Sequence, residues 1–175
     1  GWCDKFNQVV SSVNPVSSSH FNFSSYEPMG VVGIIAENSS GLLGLVSMLM
    51  PVIAGGNSCV IIASEAKPLC AVTLAEVLNS SDVPGGVVNI LTGSIAELWS
   101  PLSSHMDVNG IAMDKLNKYV SEVQLASVDN LKRVRIYSND FSLVREQGIQ
   151  FITDFQELKT TWHPIEKIGG ASSSY

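Results

Sequence analysis

The sequence has few basic residues and no apolar run long enough to cross a membrane. Ten Lys and Arg residues stand against sixteen Asp and Glu residues, which gives a formal net charge of −6 at pH 7. Nucleic acids and anionic membrane surfaces attract basic proteins, so we expect neither of them as a partner. The most apolar stretch, Leu42–Ala54, has about 13 residues against the ~20 that a bilayer requires, which favours a core helix.

Cysteine is also scarce. Cys3, Cys59 and Cys70 are odd in number and lack C-x-x-C spacing, so the sequence indicates neither a disulfide framework nor a metal site. We expect three reduced thiols, as in the cytosol, and predict a cytoplasmic location unless a targeting segment precedes the sequence. The chain starts at Gly1 without a methionine and inside a helical pattern, which is typical of a fragment.

Two β-branched runs that flank a helix-length segment are the best-defined part of the chain. The runs are Val31–Ile35 and 59–62, and the segment between them begins after a polar cluster at 38–41 and ends at 55–57. The polar cluster can cap a helix, and the two glycines at 55 and 56 can turn the chain into the next strand. Unbroken apolar strands joined by a helix indicate a βαβ unit in a buried parallel sheet.

Strands and helices continue to alternate along the chain. We predict further strands at 86–91, 108–113, 132–137 and 158–165, and a strand or hairpin within 11–23. We predict further helices at 2–12, 69–78, 95–103, 115–126 and 143–151, and a flexible tail at 169–174. This order predicts an α/β fold with a doubly wound, Rossmann-like parallel sheet.

Several segments resemble the coenzyme-binding domain of aldehyde dehydrogenases, and together they span well over half the chain. They are EPMGVVGII at 27–35, PVIAGGNS at 51–58, SEAKPL at 64–69, VPGGVVNILTG at 83–93 and HMDV at 105–108. The resemblance implies three segments: a helix end and oligomerisation arm at 1–26, a coenzyme-type domain at 27–150, and a terminal oligomerisation strand with its tail at 151–175.

The resemblance implies an NAD site whose residues are only partly kept. The family's Lys-Pro-Ser-Glu, in which Lys and Glu bind the adenosine ribose, corresponds to 62–65, so Glu65 is kept but the cation is Ile62. The family's Phe-Thr-Gly-Ser turn, which meets the phosphates, corresponds to 113–116, where Asp114 adds a repelling charge. The turn at Gly93 is a further candidate to face a phosphate, and Ser39 is a further candidate to contact the cofactor. We therefore expect no cofactor, with NAD as the alternative.

The resemblance also implies a catalytic apparatus that is replaced here. The family's Pro-Trp-Asn, whose Asn stabilises the oxyanion, corresponds to 37–39 and places Ser39 at the Asn position, with Asn38 beside it. The family's catalytic Glu corresponds to Tyr137, and no cysteine follows Cys70 to act as nucleophile. We therefore predict no catalytic residue in this chain.

Both ends of the chain resemble the parts of aldehyde dehydrogenases that join subunits. The segment 155–163 is similar to the last strand of the family, and 19–26 is similar to its hairpin arm. The implied oligomerisation residues are Phe21, Phe23, Leu158, Thr160 and Trp162. The closest likeness is the degenerate carboxy-terminal half of the two-domain family-sixteen aldehyde dehydrogenases.

Three hypotheses follow. The leading one is a non-catalytic, aldehyde-dehydrogenase-like pseudoenzyme module that acts in assembly or scaffolding, with itself or a related aldehyde dehydrogenase subunit as its partner. The alternative is a residual NAD-binding or regulatory domain of a larger NAD-dependent aldehyde dehydrogenase. Aldehyde oxidation by this chain alone is disfavoured, because no nucleophile is in place.

Overall fold

The computed structural model describes residues 1–165, which form two sheets and the helices that cover them. The strands are β1 (Ser12–Asn14), β2 (His20–Pro28), β3 (Val31–Ile35), β4 (Ser58–Ile62), β5 (Val88–Leu91), β6 (Gly110–Asp114), β7 (Arg133–Tyr137) and β8 (Gln156–Pro164). The helices are α1 (Trp2–Val10), α2 (Leu43–Ala54), α3 (Leu69–Asn79), α4 (Ile95–Ser104), α5 (Val120–Ala126) and α6 (Gln150–Thr153), with a 3-10 turn at Val144–Glu146. No helix among these residues is long and apolar enough to cross a bilayer.

The larger sheet is parallel and has the strand order β5-β4-β3-β6-β7, which confirms the predicted α/β, Rossmann-like fold. Neighbouring residues of its β-branched strands point to opposite faces. Ile34 belongs to the apolar cluster that includes Leu45 and Leu49 of α2, whereas Ile35 belongs to the cluster that includes Leu102 of α4. Helices therefore cover both faces, as unbroken apolar strands require.

The smaller sheet is antiparallel, has the order β1-β2-β8, and joins the two ends of the chain. Strands β2 and β8 pair along their whole length, from His20 opposite Pro164 to Pro28 opposite Gln156. Helix α1 packs beside this sheet, with the rings of Phe6 and Tyr26 6.4 Å apart. Segments from the two ends of the chain thus form one small β arm, as predicted.

Two helix predictions differ from the structure: the helix predicted at 115–126 forms only at Val120–Ala126, and the helix predicted at 143–151 does not form. The segment 115–119 is a pair of turns rather than the start of α5, because Asp114 and Asn117 accept the backbone N–H groups of Leu116 and Tyr119 at 2.7 and 3.0 Å. Such local bonds compete with helix formation.

The helix expected at 143–151 is also absent; only the 3-10 turn and the short α6 form there. A side-chain turn at Asp140 and the glycine at 148 explain why: Asp140 accepts the N–H of Ser142 at 3.0 Å, and Gly148 separates the two short pieces. The tail predicted at 169–174 lies outside the described residues.

Candidate functional site

The candidate ligand site lies at the carboxyl ends of β3 and β6, where the strand order reverses. The chain enters the sheet at β3, adds β4 and β5 on one side, and then crosses to β6 and β7 on the other. In an open α/β sheet, ligands bind in the crevice outside the strand ends at this point. The loops after β3, β4 and β6 line two cavities there.

Asn38 ties the loop after β3 to the loop after β4. Its carbonyl oxygen accepts the Ser64 hydroxyl at 2.9 Å, and its side-chain oxygen accepts the N–H of Ala66 at 3.0 Å. The side chain that the sequence placed beside the oxyanion position therefore bonds to the protein itself.

Ser39, the residue at the family's oxyanion position, is also bonded within the loops. Its hydroxyl donates to the Glu37 carboxylate, and its carbonyl oxygen accepts Lys67 Nζ at 2.6 Å. An oxyanion donor must have its proton aimed at the developing charge. Here the Ser39 proton is directed at a carboxylate instead.

Glu65 lies at the amino end of α4 and lines one of the two cavities. Its Oε2 accepts the backbone N–H of Ile95 at 3.1 Å. A carboxylate in that place bonds an otherwise unpaired N–H and matches the positive end of the helix dipole. Gly93 has φ +153°, a backbone conformation that favours glycine, and its turn delivers the chain to this helix end.

The first cavity has a volume of about 350 Å³ and lies between Glu65 and the turns before α5. Its lining residues are Asn38, Glu65, Ser94, Ile95, Ala96, Leu116, Asn117, Lys118 and Tyr119. Tyr119 stacks on Trp99 with their ring centroids 5.2 Å apart, and Lys118 Nζ lies 4.9 Å from the Tyr119 ring centroid. The cavity therefore combines one carboxylate, one cation and one stacked aromatic ring.

Ser39 lies in the neighbouring cavity, so the structure does not bring it together with Glu65. This second cavity has a volume of about 430 Å³ and is lined by Glu37, Ser39, Ser40, Leu43, Asp114, Lys115, Leu116, Ser138, Asn139, Asp140 and Phe141. The lining has three carboxylates against one lysine. Hydrogen bonds from the Ser142 hydroxyl and N–H hold the pKa of Asp140 below its ordinary value, which favours the charged form.

Two positions that the family resemblance assigns to the dinucleotide lack the family's groups. Ile62, at the position of the ribose cation, is fully buried in the sheet and has no side-chain donor. Asp114 places a carboxylate where the family's turn meets a phosphate. Its Oδ1 already accepts the N–H of Leu116 at 2.7 Å. A carboxylate repels a phosphate group, and a lost charge-assisted hydrogen bond weakens binding further.

Tyr137, at the position of the family's catalytic Glu, is buried in an aromatic cluster rather than exposed in the crevice. Its ring centroid lies 6.3 Å from that of Phe141 and 5.1 Å from that of Phe151, and its hydroxyl donates to Asp154 Oδ2 at 3.0 Å. Burial, and then the Asp154 charge, raise the pKa of Tyr137 far above its ordinary value. The phenol therefore stays protonated and cannot act as a general base near neutral pH.

Residues 1–165 contain no metal-binding group of side chains and no disulfide. No group of three or more His, Cys, Asp or Glu side chains there could hold a metal ion. All three cysteines are free; Cys3 and Cys70 are exposed, and Cys59 is buried in β4. Burial raises the pKa of Cys59 to about 12, so its thiol stays neutral.

The second candidate site is the terminal sheet, and its hydrogen-bond register identifies a free edge. Ile165 N–H donates to Ser19 O, in line with the β2–β8 pairing, so odd-numbered residues of β8 bond to β2. The backbone groups of even-numbered residues, including Leu158, Thr160 and Trp162, therefore point to the outer edge of β8. Within residues 1–165 no strand pairs with that edge.

The five predicted oligomerisation residues lie on two faces of this sheet. Phe21 and Phe23 share one face, with their ring centroids 5.7 Å apart. Leu158, Thr160 and Trp162 lie on the other face, because they are paired with Tyr26, Ser24 and Asn22. Leu158 and Trp162 are each 57% exposed, so both offer apolar surface beside the outer edge.

Sequence patterns do not reveal the residues that attach β8 to the parallel sheet. We call the segment Asp154–Glu157 the junction. It is bonded by Arg133 and Arg135 of β7 and by Asn57 after α2, and Asp154 is the junction residue that pairs with Arg135. Isolated Arg and Asp residues carry no sequence signal for such contacts. Asn57 stood in a matched motif, but its buried position and its partner 98 residues away appear only in the fold.

Comparison with known proteins identifies the family. The sequence model of the aldehyde dehydrogenase family matches residues 2–136. Retinaldehyde dehydrogenase 3 of Homo sapiens is 35% identical over 139 residues, and cytosolic aldehyde dehydrogenase 1 of Elephantulus edwardii is 32% identical over 139 residues. Each alignment covers 78% of this chain, and the chain spans about a quarter of those relatives, 26% and 27% respectively.

Comparison with solved structures supports the same family. PnpE from Pseudomonas sp. WBC-3 superimposes with a TM-score of 0.70 at 33% identity, over 78% of this chain and 27% of that one. An apo indole-3-acetaldehyde dehydrogenase gives a TM-score of 0.73 at 26% identity, over 79% of this chain and 32% of that one. PnpE in complex with nicotinamide adenine dinucleotide gives a TM-score of 0.71 at 32% identity, over 78% and 27% of the two chains. The chain therefore belongs to the aldehyde dehydrogenase family and carries the Rossmann-like fold of its coenzyme-binding domain.

Proposed function

We propose that this chain is a non-catalytic, aldehyde-dehydrogenase-like module that acts in assembly. The outer edge of β8, with Leu158 and Trp162 exposed beside it, is the observation that carries the proposal. An open strand edge presents backbone donors and acceptors that pair readily with another chain. In support, Ser39 and Glu65 of the crevice bond within the protein, and Tyr137 stands at the position that the resemblance gives to the catalytic Glu.

The geometry of the edge suits a second copy of the chain. If two β8 strands pair antiparallel about a two-fold axis at Thr160, Leu158 of one copy lies opposite Trp162 of the other. On the opposite face, Glu157 then meets His163 and Lys159 meets Thr161, so no two like charges are opposed. Two three-stranded sheets would become one continuous sheet, with a Leu–Trp contact on each side of the axis.

Sedimentation of paired variants tests the proposal. Thr160→Pro removes both the Thr160 hydroxyl and the edge N–H at the two-fold axis. Thr160→Val removes the hydroxyl but keeps the N–H, so it is the matched control. We expect wild type and Thr160→Val to sediment as dimers and Thr160→Pro to sediment as a monomer with an unchanged circular dichroism spectrum. Trp162→Ala should weaken the dimer by about thirty-fold, the equivalent of about 2 kcal/mol for an interface anchor.

Two results would reject self-assembly through β8: a monomeric wild type, or a Thr160→Pro variant that dimerises normally. A monomeric wild type that binds an added aldehyde dehydrogenase subunit, but loses this binding on Thr160→Pro, would identify the related subunit as the partner. The edge would then keep its role, and only the occupant would change.

A residual dinucleotide-binding or regulatory role is the second candidate. The cavity of about 350 Å³ beside Glu65 favours it, and so does the structural likeness to the NAD complex of PnpE. Against it stand Ile62 and Asp114, which together could weaken binding by about a hundred-fold or more. Calorimetric titration with NAD should give no low-micromolar affinity; a low-micromolar dissociation constant would promote this candidate.

A further inference from the structure

The junction between α6 and β8 is bound to the parallel sheet by side chains. Arg133 donates to the carbonyl oxygens of Asp154 and Gln156 at 3.1 and 2.8 Å, and Asn57 donates to that of Phe155 at 2.9 Å. Three consecutive backbone carbonyls are thus satisfied by side chains before β8 continues along β2. Buried carbonyls need such partners, so the position of the junction is closely determined.

Asp154 itself is held between two residues of β7. Its Oδ2 accepts the Tyr137 hydroxyl at 3.0 Å, and its Oδ1 lies 3.2 Å from Arg135 Nε. We call these three residues the Asp154 clamp. The Asp154 side chain is only 21% exposed, and hydrogen bonds to a charged and partly buried group are stronger than neutral ones.

The junction is also held by Arg133, Asn57 and the fully buried Phe155, but beyond it the pairing of β2 with β8 has few contacts that set its register. After Gln156, the residues of β8 are exposed or half-buried, so no buried face rejects a slipped strand. The Lys159–Glu27 ion pair is 60% and 49% exposed, and exposed pairs of this kind contribute little. The bond between the hydroxyls of Ser24 and Thr160, 2.9 Å long, joins two neutral groups.

We infer that Tyr137 and Arg135 are positioning residues that set the register of β8 on β2 through Asp154. A slip of one residue would move the junction by about 3.3 Å along the strand and break both bonds of the clamp. The same slip would turn Leu158 and Trp162 to the other face of the sheet. The carboxyl end of β7, which borders the candidate ligand crevice, thereby determines which side chains the terminal sheet presents.

Hydrogen exchange tests the attachment of β8 without reference to assembly. Tyr137→Phe removes one hydroxyl and keeps the aromatic cluster, and Arg135→Gln changes a side chain that is 45% exposed. Each should speed exchange of the Lys159 and Thr161 amides, which bond to β2, by roughly ten- to a hundred-fold. Amides of β3 and β6 should keep their rates. Tyr119→Phe, the same change on the other face of the sheet, is the matched control and should alter neither set.

Disulfide trapping tests the register itself in a Cys3→Ser/Cys70→Ser background. Ser24→Cys with Thr160→Cys joins directly opposite residues of the native register, and Ser24→Cys with Thr161→Cys reports a slip of one residue. We expect only the first pair to close in the parent. In the Tyr137→Phe/Arg135→Gln double variant, the first pair should close more slowly and the second should begin to close.

Equal exchange rates and equal disulfide yields in the parent and clamp variants would overturn the inference. The register would then be set without the clamp, by Arg133 and Asn57 at the junction or by the terminal sheet itself. Both measurements report the pairing of β8 with β2 within one chain, so they can fail while assembly through β8 stands, and they can succeed in a protein that stays monomeric.

Discussion

The Glu65 carboxylate caps the amino end of helix α4 by accepting the Ile95 N–H at 3.1 Å. The residue that the family resemblance assigns to the adenosine ribose thus has a structural role in the chain itself. Ser39 and Asn38 likewise bond to neighbouring loops. Intramolecular bonds therefore already engage Glu65, Ser39 and Asn38.

Removal of the Glu65 cap should lower stability. We expect Glu65→Ala to reduce the free energy of unfolding by about 0.5–1 kcal/mol, since the residue is exposed and an N–H loses its charged partner. Glu65→Gln keeps an acceptor oxygen and should cost about half as much. Urea denaturation of the three proteins measures both values; equal midpoints for all three would show that the contact contributes nothing.

Gly110 should not tolerate a side chain. A Cβ there would lie 2.9 Å from Cδ1 of the fully buried Phe155 and 3.1 Å from the Arg133 carbonyl oxygen. Gly110→Ala should therefore displace the junction and lower the free energy of unfolding by about 1–3 kcal/mol. Gly85→Ala is the matched control, because nothing lies within 4 Å of its Cβ. Thermal unfolding should separate the two variants; a shared melting temperature would contradict the close packing of Phe155.

Cys59 should make the fold less stable at alkaline pH. Its pKa rises from the ordinary value of 9.0 to about 12 because burial disfavours the thiolate. Below pH 9 both states keep the proton, and the contribution of Cys59 to stability is fully present. Between pH 9 and 12 the unfolded thiol ionises while the native thiol does not, so stability falls by up to about 1.4 kcal/mol per pH unit.

The comparison for this prediction is wild type against Cys59→Val, with urea denaturation at several pH values. The difference in unfolding free energy between them should be constant below pH 9 and should shift against wild type above it. Tyr137 changes stability in the same direction, but it is present in both proteins and so cancels. A difference that stays constant up to pH 11 would show that Cys59 titrates normally.

The purified chain should not oxidise aldehydes with NAD. Tyr137 stands at the base position with its hydroxyl bonded to Asp154, and Cys59 is a buried, neutral thiol. Absorbance at the reduced-nicotinamide band, with aliphatic and aromatic aldehydes, should match a no-enzyme control. Turnover that persists in Cys59→Val and Cys70→Ser variants would refute this prediction.

Much of the parallel sheet could be predicted from the sequence, because unbroken apolar, β-branched runs are themselves the pattern of strands buried on both faces. Val31–Ile35 and the run at 59–62 both became central strands. The prediction failed where short polar side chains captured nearby backbone groups. Asp114 and Asn117 did so before α5, and Asp140 did so after β7.

The sequence by itself determined the Rossmann-like fold class, because the order of strands and helices along the chain suffices for it. It also placed Ile62 and Tyr137 where the family resemblance expects a cation and a carboxylate base. Only the tertiary structure decided where the remaining polar groups bond. Glu65 meets Ile95, Tyr137 meets Asp154, and Asn57 meets Phe155 across 98 residues, and no local pattern encodes contacts of that range. The free edge of β8 is of the same kind, because a strand becomes an edge only when the whole sheet has been ordered.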